Sequence, residues 1–176
     1  TVDQVVVAHP PPSEEKSMRG VWTVYFDSPR SPVPGKFLLL NGDYEVGKTA
    51  IAHMAVPSDV QPSYAPEGRS LVVATIVGDA AASLNLSNAE AVESRARREI
   101  EQWFPDCENW RTLDVQHISA ALPSHEGGID LPFSRPIDKN GIITCGDHMA
   151  HASMQGAINS AESAANEVIR RIQHRG

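Results

Sequence analysis

The sequence predicts an α+β fold: a mostly antiparallel sheet with a packed helix, closed by a strand and a helix of different character. Three observations predict it. Short β-branched and aromatic runs, punctuated by proline and glycine, fill residues 5–77. One amphipathic stretch follows, with apolar residues at helical spacing. The segment 141–176 then sets a short apolar strand before a long, small-residue helix, the pattern of a parallel layer.

Taken in order, Val5-Val6-Val7-Ala8 reads as a buried strand ended by Pro10-Pro11-Pro12, and the polar residues 14–16 as the start of a short helix. Residues 21–26 form a strand rich in Val, Trp, Tyr and Phe. Pro29, Pro32, Pro34 and Gly35 impose a loop, and residues 36–41 return to strand. Residues 49–56 fit strand or helix, residues 62–68 are loop, and residues 71–77 carry the strongest strand pattern. Ser87-Asn88-Ala89-Glu90 reads as a capping box, with Ser87 as the cap. Ala89, Val92, Ala96, Ile100 and Trp103 then recur on one helical face, Arg95, Arg97, Arg98 and Glu101 fill the other, and Pro105 stops the helix. Residues 112–121 are strand, 126–140 loop, 141–145 strand, and about 153–172 helix.

The chain of 176 residues, 41% hydrophobic, is long enough to bury a core. A net charge of −7, from 15 Lys and Arg against 22 Asp and Glu, argues against a nucleic-acid partner, which selects a basic surface. No apolar run approaches the roughly 20 residues of a membrane span. Two cysteines, Cys107 and Cys145, make no disulfide scaffold, and a reducing, cytoplasmic setting is expected. The chain begins Thr1-Val2-Asp3-Gln4, as a processed or excised piece would.

Two motifs could carry chemistry. Gly42-Asp43-Tyr44-Glu45-Val46-Gly47-Lys48-Thr49 matches the phosphate-loop pattern in every fixed position. Asp43 and Glu45 would put two carboxylates inside the cradle, and Pro57 leaves room for barely two turns of the helix that must follow. A hairpin loop is the better expectation, with a nucleotide-binding module as the alternative. The second motif runs from Gly141 to Ala157: a strand ends in Gly146-Asp147, and a turn leads to Gly156-Ala157 at a helix start. Helix N-termini offer unpaired amides and partial positive charge. Gly156, Ser160 and Ala164 form one small-residue row, and Ala157, Ala161 and Ala165 another. Cys145, Asp147, His148 and His151 lack the spacing of a metal site, and no metal is expected.

This second segment resembles the C-terminal FAD-binding signature of the flavin amine oxidase superfamily, which includes protoporphyrinogen oxidases and phytoene desaturases. Residues 142–146, Asp147, Gln155-Gly156-Ala157, Ser160 and Ala164-Ala165 match it in order and spacing. Residues 56–66, the helix 90–103 and residues 110–123 resemble the substrate-domain half of the same proteins, and residues 5–8 the strand leaving the FAD domain. The resemblance implies a division into residues 1–8, a substrate-binding domain over 9–140, and the strand and helix of a Rossmann-like FAD domain over 141–176.

It implies further that Gly146, Asp147, His148, Gln155, Gly156 and Ala157 contact the cofactor. Asp147 would lie by the ribityl and pyrophosphate part, Gln155 beside the ring, and the Gly156 and Ala157 amides at the flavin N1/O2 edge; the role of His148 stays open. The fingerprint G-x-G-x-x-G is absent from this sequence. The expectation is therefore the C-terminal portion of an FAD-dependent oxidoreductase acting on an amine or apolar C–H substrate, with catalytic residues unassigned. This chain alone is expected to be inactive and not to retain FAD. A non-catalytic binding domain with a degenerate flavin site is a further alternative. Ala157, Ala161, Ala165 and Val168 should be partly exposed, or covered by a second copy in a homo-oligomer.

Overall fold

The computed structural model describes residues 4–10, 18–124, 137–139 and 141–174. The chain divides into two compact units, Arg19–Ser119 and Thr1–Met18 with Ala120–Gly176. The polar stretch 14–16 and most of the loop expected over 126–140 lie outside the described residues.

The first unit is built on a five-stranded sheet of order β3-β4-β5-β2-β6. Its strands are β2 (Met18–Ser28), β3 (Leu38–Leu40), β4 (Ile51–Ala55), β5 (Ser70–Val77) and β6 (Arg111–Pro123). The pairs β3/β4, β4/β5 and β2/β5 are antiparallel, with Val24 opposite Ala74 and Leu39 opposite Met54. The ambiguous stretch 49–56 is thus strand β4. Side chains alternate along β5, so that Ser70, Val72, Ala74 and Ile76 are buried and their neighbours half-buried. Val24 and Phe26 of β2 join the buried face.

Helix α3 (Ala89–Trp103) lays Val92, Ala96 and Ile100 on that face, in one cluster with Phe26, Met54, Val72 and Trp110. Two short helices precede it, α1 (Pro57–Val60) and α2 (Gly78–Ser83); α2 was not legible as a helix in the sequence. The capping box needs a correction. Asn88, extended at φ −145° and ψ 165°, is the cap and accepts from the Ala91 amide at 2.9 Å. Asn caps as well as Ser, and with the cap one residue later Glu90 falls too early to reach back. Phe104, pushed out of helical backbone by Pro105, ends α3 as expected.

The polar face of α3 is more engaged than its charge pattern implies. Arg97 donates to the Trp110 carbonyl at 3.0 Å and to Thr112 Oγ1 at 2.6 Å, with its guanidinium 5.2 Å from the Phe26 ring centroid. Arg97 also pairs with Glu93, whose pKa is lowered first by its bond from Thr112 and then by Arg97. Glu99 is buried: its carboxylate accepts from the Ala50 amide at 2.8 Å and the Ile51 amide at 3.0 Å, and from Arg95 Nε at 2.6 Å. One acidic side chain therefore pins the start of β4 to the helix.

The second unit holds a three-stranded sheet of order β1-β8-β7. β1 (Val5–Val7) lies parallel to β8 (Ile142–Thr144), with Val6 opposite Ile143, but it is not the buried strand the sequence predicts: at the edge of its sheet, Val5 and Val6 are exposed. β7 (Ile137–Lys139) pairs antiparallel with β8, where the sequence predicted loop. A three-residue edge strand beside a proline-rich stretch has too few residues to show alternation. Helix α4 (Met154–Gln173) packs Ala164 and Val168 against Ile143 and Cys145.

Candidate functional site

The site is built where β8 runs into α4. The Cys145 amide donates to the Val7 carbonyl at 2.9 Å, which carries the parallel pairing one residue past the strand. Gly146 follows at φ 136°, a region that favours glycine. A Cβ there would lie 2.6 Å from the His148 ring, so the imidazole rests directly on this glycine. Asp147–Met149 then forms one tight turn, closed by the Met149 amide on the Gly146 carbonyl and the Ala150 amide on the Asp147 carbonyl, each at 3.1 Å.

The side chain of His148 is only 4% exposed, and neither of its ring nitrogens has a hydrogen-bond partner among the described residues. Asp147 Oδ1 stands 4.0 Å from His148 Nδ1, outside hydrogen-bond reach. Asp147 is about one-third exposed, at 31%. Orphaned polar atoms in a folded interior cost free energy and call for a partner or an ordered water.

Helix α4 is tied to this turn at two points. The Gly146 amide donates to Ser160 Oγ at 3.1 Å, and Ser160 is buried. Ser153 caps the helix: its Oγ accepts from the Gly156 amide at 3.0 Å and lies 2.7 Å from His151 Nδ1, while its carbonyl accepts from the Ala157 amide at 3.0 Å. The Gly156 and Ala157 amides are therefore taken within the chain. Gly156 does allow a close backbone approach, and what approaches is the chain itself: a Cβ at 156 would lie 2.0 Å from the His151 carbonyl oxygen. Gln155 is exposed and donates to Asn159 Oδ1 at 2.7 Å. Gly146, Asp147 and His148 share one turn, and Gly156 is buried at the helix start that follows it.

The small-residue row Gly156, Ser160 and Ala164 is the packed face of α4. Ala157 and Val168 are half-buried, Ala161 and Ala165 exposed. Met154, Ile158, Ile169 and Ile172 are exposed with them, so the outer face of the helix is an apolar stripe. None of the described helices is long and apolar enough to cross a membrane. Among the described residues no group of three His, Cys, Asp or Glu side chains is placed to hold a metal ion.

The phosphate-loop match is a hairpin loop between β3 and β4. The Lys48 and Thr49 amides donate to the Glu45 carbonyl, the Asp43 amide to Asn41 Oδ1, and the Glu45 amide to Thr49 Oγ1. Lys48 Nζ is paired with Glu45 at 2.9 Å. These donors turn onto the loop's own acceptors, and the chain continues into a strand instead of a helix; a nucleotide cradle needs the opposite on both counts.

On the sheet of the first unit, the face away from α3 carries half-buried Val21, Thr23, Tyr25, Val73, Thr75 and His53. Burial lowers the pKa of His53 and favours its neutral form. Neither His53 nor buried Glu99 was singled out from the sequence. Glu99 had a legible signal, since it stands seven residues after Val92 on the apolar face of α3. His53 had none.

The family described as "Flavin containing amine oxidoreductase" matches residues 1–169. No curated protein matches the sequence significantly. Among solved structures, an oxidoreductase from Methanosarcina mazei superposes with a TM-score of 0.67 at 13% identity, over 94% of this chain and 43% of that one. A provisionally named protoporphyrinogen oxidase from Exiguobacterium sp. 255-15 gives 0.61 at 14% identity, over 99% and 42%. A cofactor-binding redesign of putrescine oxidase gives 0.58 at 12% identity, over 96% and 43%. The chain thus spans less than half the length of each of these structures. At such identities the likeness is one of fold.

Proposed function

We infer that this chain, which belongs to the flavin containing amine oxidoreductase family, is the substrate-domain and C-terminal portion of an FAD-dependent oxidoreductase. The expected substrate-binding domain of residues 9–140 is narrower in this reading: it is the unit Arg19–Ser119, and β7, which pairs with β8, goes with residues 1–8 and 141–176 to the FAD domain. FAD, when bound, supplies the acceptor for a hydride from an amine or an apolar C–H group of a small molecule.

The observation that carries the reading is His148, a buried imidazole with neither nitrogen partnered among the described residues, set in the turn between β8 and α4. A bound polar group would give those nitrogens partners. Gly146 leaves the space of a missing side chain, which the imidazole now fills. Asp147 offers carboxylate oxygens to ribityl hydroxyls. The amides of Gly156 and Ala157 act through the positive field of the α4 N-terminus, because Ser153 already holds both. Gln155, exposed on the first turn, remains available to the ring. The half-buried face of Val21, Thr23, Tyr25, Val73 and Thr75 suits the wall of an apolar substrate cavity. The apolar stripe on α4 favours self-association of the isolated chain.

The test is the visible spectrum of the purified chain titrated with FAD. The sequence holds no G-x-G-x-x-G turn, the element that grips the pyrophosphate, so the flavin band should stay that of free FAD. A perturbed band with tight, stoichiometric binding would overturn the reading of the chain as a partial flavin site.

A further inference from the structure

We propose that the hollow between α2, the turn from α2 to α3, and the neighbouring strands β2 and β6 binds an uncharged bicyclic heteroaromatic with a lactam edge, an N–H beside a C=O. The hollow lies wholly within Arg19–Ser119 and shares no residue with the turn around His148. Its volume is about 430 Å³. Small-molecule sites run to roughly 300–1,000 Å³.

Three features select that guest. The first is a flat apolar wall. Trp22 of β2 and His117 of β6 stack with ring centroids 4.2 Å apart and planes 14° from parallel, and both residues line the hollow. Leu86 and Ala81 continue the apolar lining, so a planar guest extends an existing stack. The second is a polar rim on a fixed turn. The Asn85 amide donates to the Ala82 carbonyl at 3.1 Å and the Leu86 amide to the Ala81 carbonyl at 2.8 Å, the paired bonds of a Schellman turn ending α2. That turn holds Asn85 at φ 55°, where glycine is the less strained residue, so the backbone does not require the carboxamide. Ser87 is spared a structural task as well, because Asn88 caps α3. The Asn85 and Ser87 side chains have no hydrogen-bond partner among the described residues. A carboxamide presents a donor and an acceptor side by side, the complement of a lactam edge. The third feature is charge. Among the described residues lining the hollow none is Asp, Glu, Lys or Arg, and Asp79, next to the lining Gly78, is paired with Arg19 at 3.4 Å. A cation would meet no carboxylate. An anion would meet only His117, whose exposure leaves any charge there screened by water.

The experiment is a titration of the full ¹⁵N-labelled chain, followed by the Trp22 indole, the Asn85 side-chain amide and the Ser87 backbone amide. The probes are 2-quinolone, 1-methyl-2-quinolone, which keeps the ring and carbonyl but lacks the N–H, and the anion quinoline-2-carboxylate. Saturable shifts centred on those residues are expected for 2-quinolone, with a dissociation constant of roughly millimolar size for so few atoms. The methylated probe should bind about three- to tenfold more weakly, the loss of one hydrogen-bonded pair, and the anion should not saturate. Asn85→Gly, which keeps the turn, should bring 2-quinolone close to the level of its methylated form. His117→Thr, at an exposed position of an edge strand, should weaken both. Equal binding of the two quinolones, shifts centred elsewhere, no saturation at all, or an undiminished preference in Asn85→Gly would each overturn the proposal.

Discussion

Glu99→Ala should melt at least about 10 °C below the parent chain, the largest loss expected from a single truncation in the first unit. Glu99 lies within the core contact between α3 and β4, and its carboxylate receives the Ala50 and Ile51 amides and Arg95. Truncation leaves two buried amides without acceptors and a guanidinium without its partner. Breaking such a buried set by removing one member costs about 3–5 kcal/mol, far more than an exposed ion pair contributes. Glu99→Gln keeps one acceptor oxygen but turns an N–H toward the other amide, so it should fall between the two. Thermal melts of the three chains decide it. A Glu99→Ala chain melting within about 2 °C of the parent would show that water or a neighbour replaces the carboxylate.

Gly156→Val should abolish the packed start of α4, and with it any flavin incorporation by a protein that contains this segment. The added Cβ falls 2.0 Å from the His151 carbonyl oxygen, and backbone on both sides leaves no flexible side chain to move aside. The helix start must shift, which breaks the Ser153 cap on the Gly156 amide and strains the Gly146–Ser160 tie. Overpacking costs about 1–3 kcal/mol and loss of the cap about 1 kcal/mol more. Gly156→Ala should show most of this loss, since the first carbon already collides. Hydrogen exchange of the amides between Gly146 and Ala157 should accelerate in both variants, while Ala161→Ser on the exposed face leaves it unchanged. Parent-like protection in Gly156→Ala would show that the turn has room the structure does not display.

Elements with long, regular patterns were legible in the sequence. The alternation over 71–77, the helical recurrence of Val92, Ala96 and Ile100, and the long terminal helix each appear where the sequence sets them. The hairpin between β3 and β4 was legible through what spoiled the competing motif, its two carboxylates and Pro57. Short elements were not: β7 and α2 have three and six residues, too few for a period to show. At the site, the strand, Gly146-Asp147 and the Ser153-to-Gly156 helix start could be placed from spacing. The acceptors of the Gly156 and Ala157 amides could not, because capping depends on which residue turns extended, not on which types are present. Nor could the burial of His148 with neither nitrogen partnered among the described residues, which depends on the backbone angle at Gly146.

The most direct test of the turn as a flavin contact is a pair of readings on His148→Phe. Phenylalanine fills the same space over Gly146 without the two orphaned nitrogens. In this chain, the variant should melt at or above the parent, because an unsatisfied polar pair is removed from the interior. In the natural protein that carries the segment, the same variant should retain less FAD through gel filtration than the unaltered protein. A variant that melts well below the parent, or one that keeps its FAD undiminished, would contradict the assignment of His148 to the cofactor.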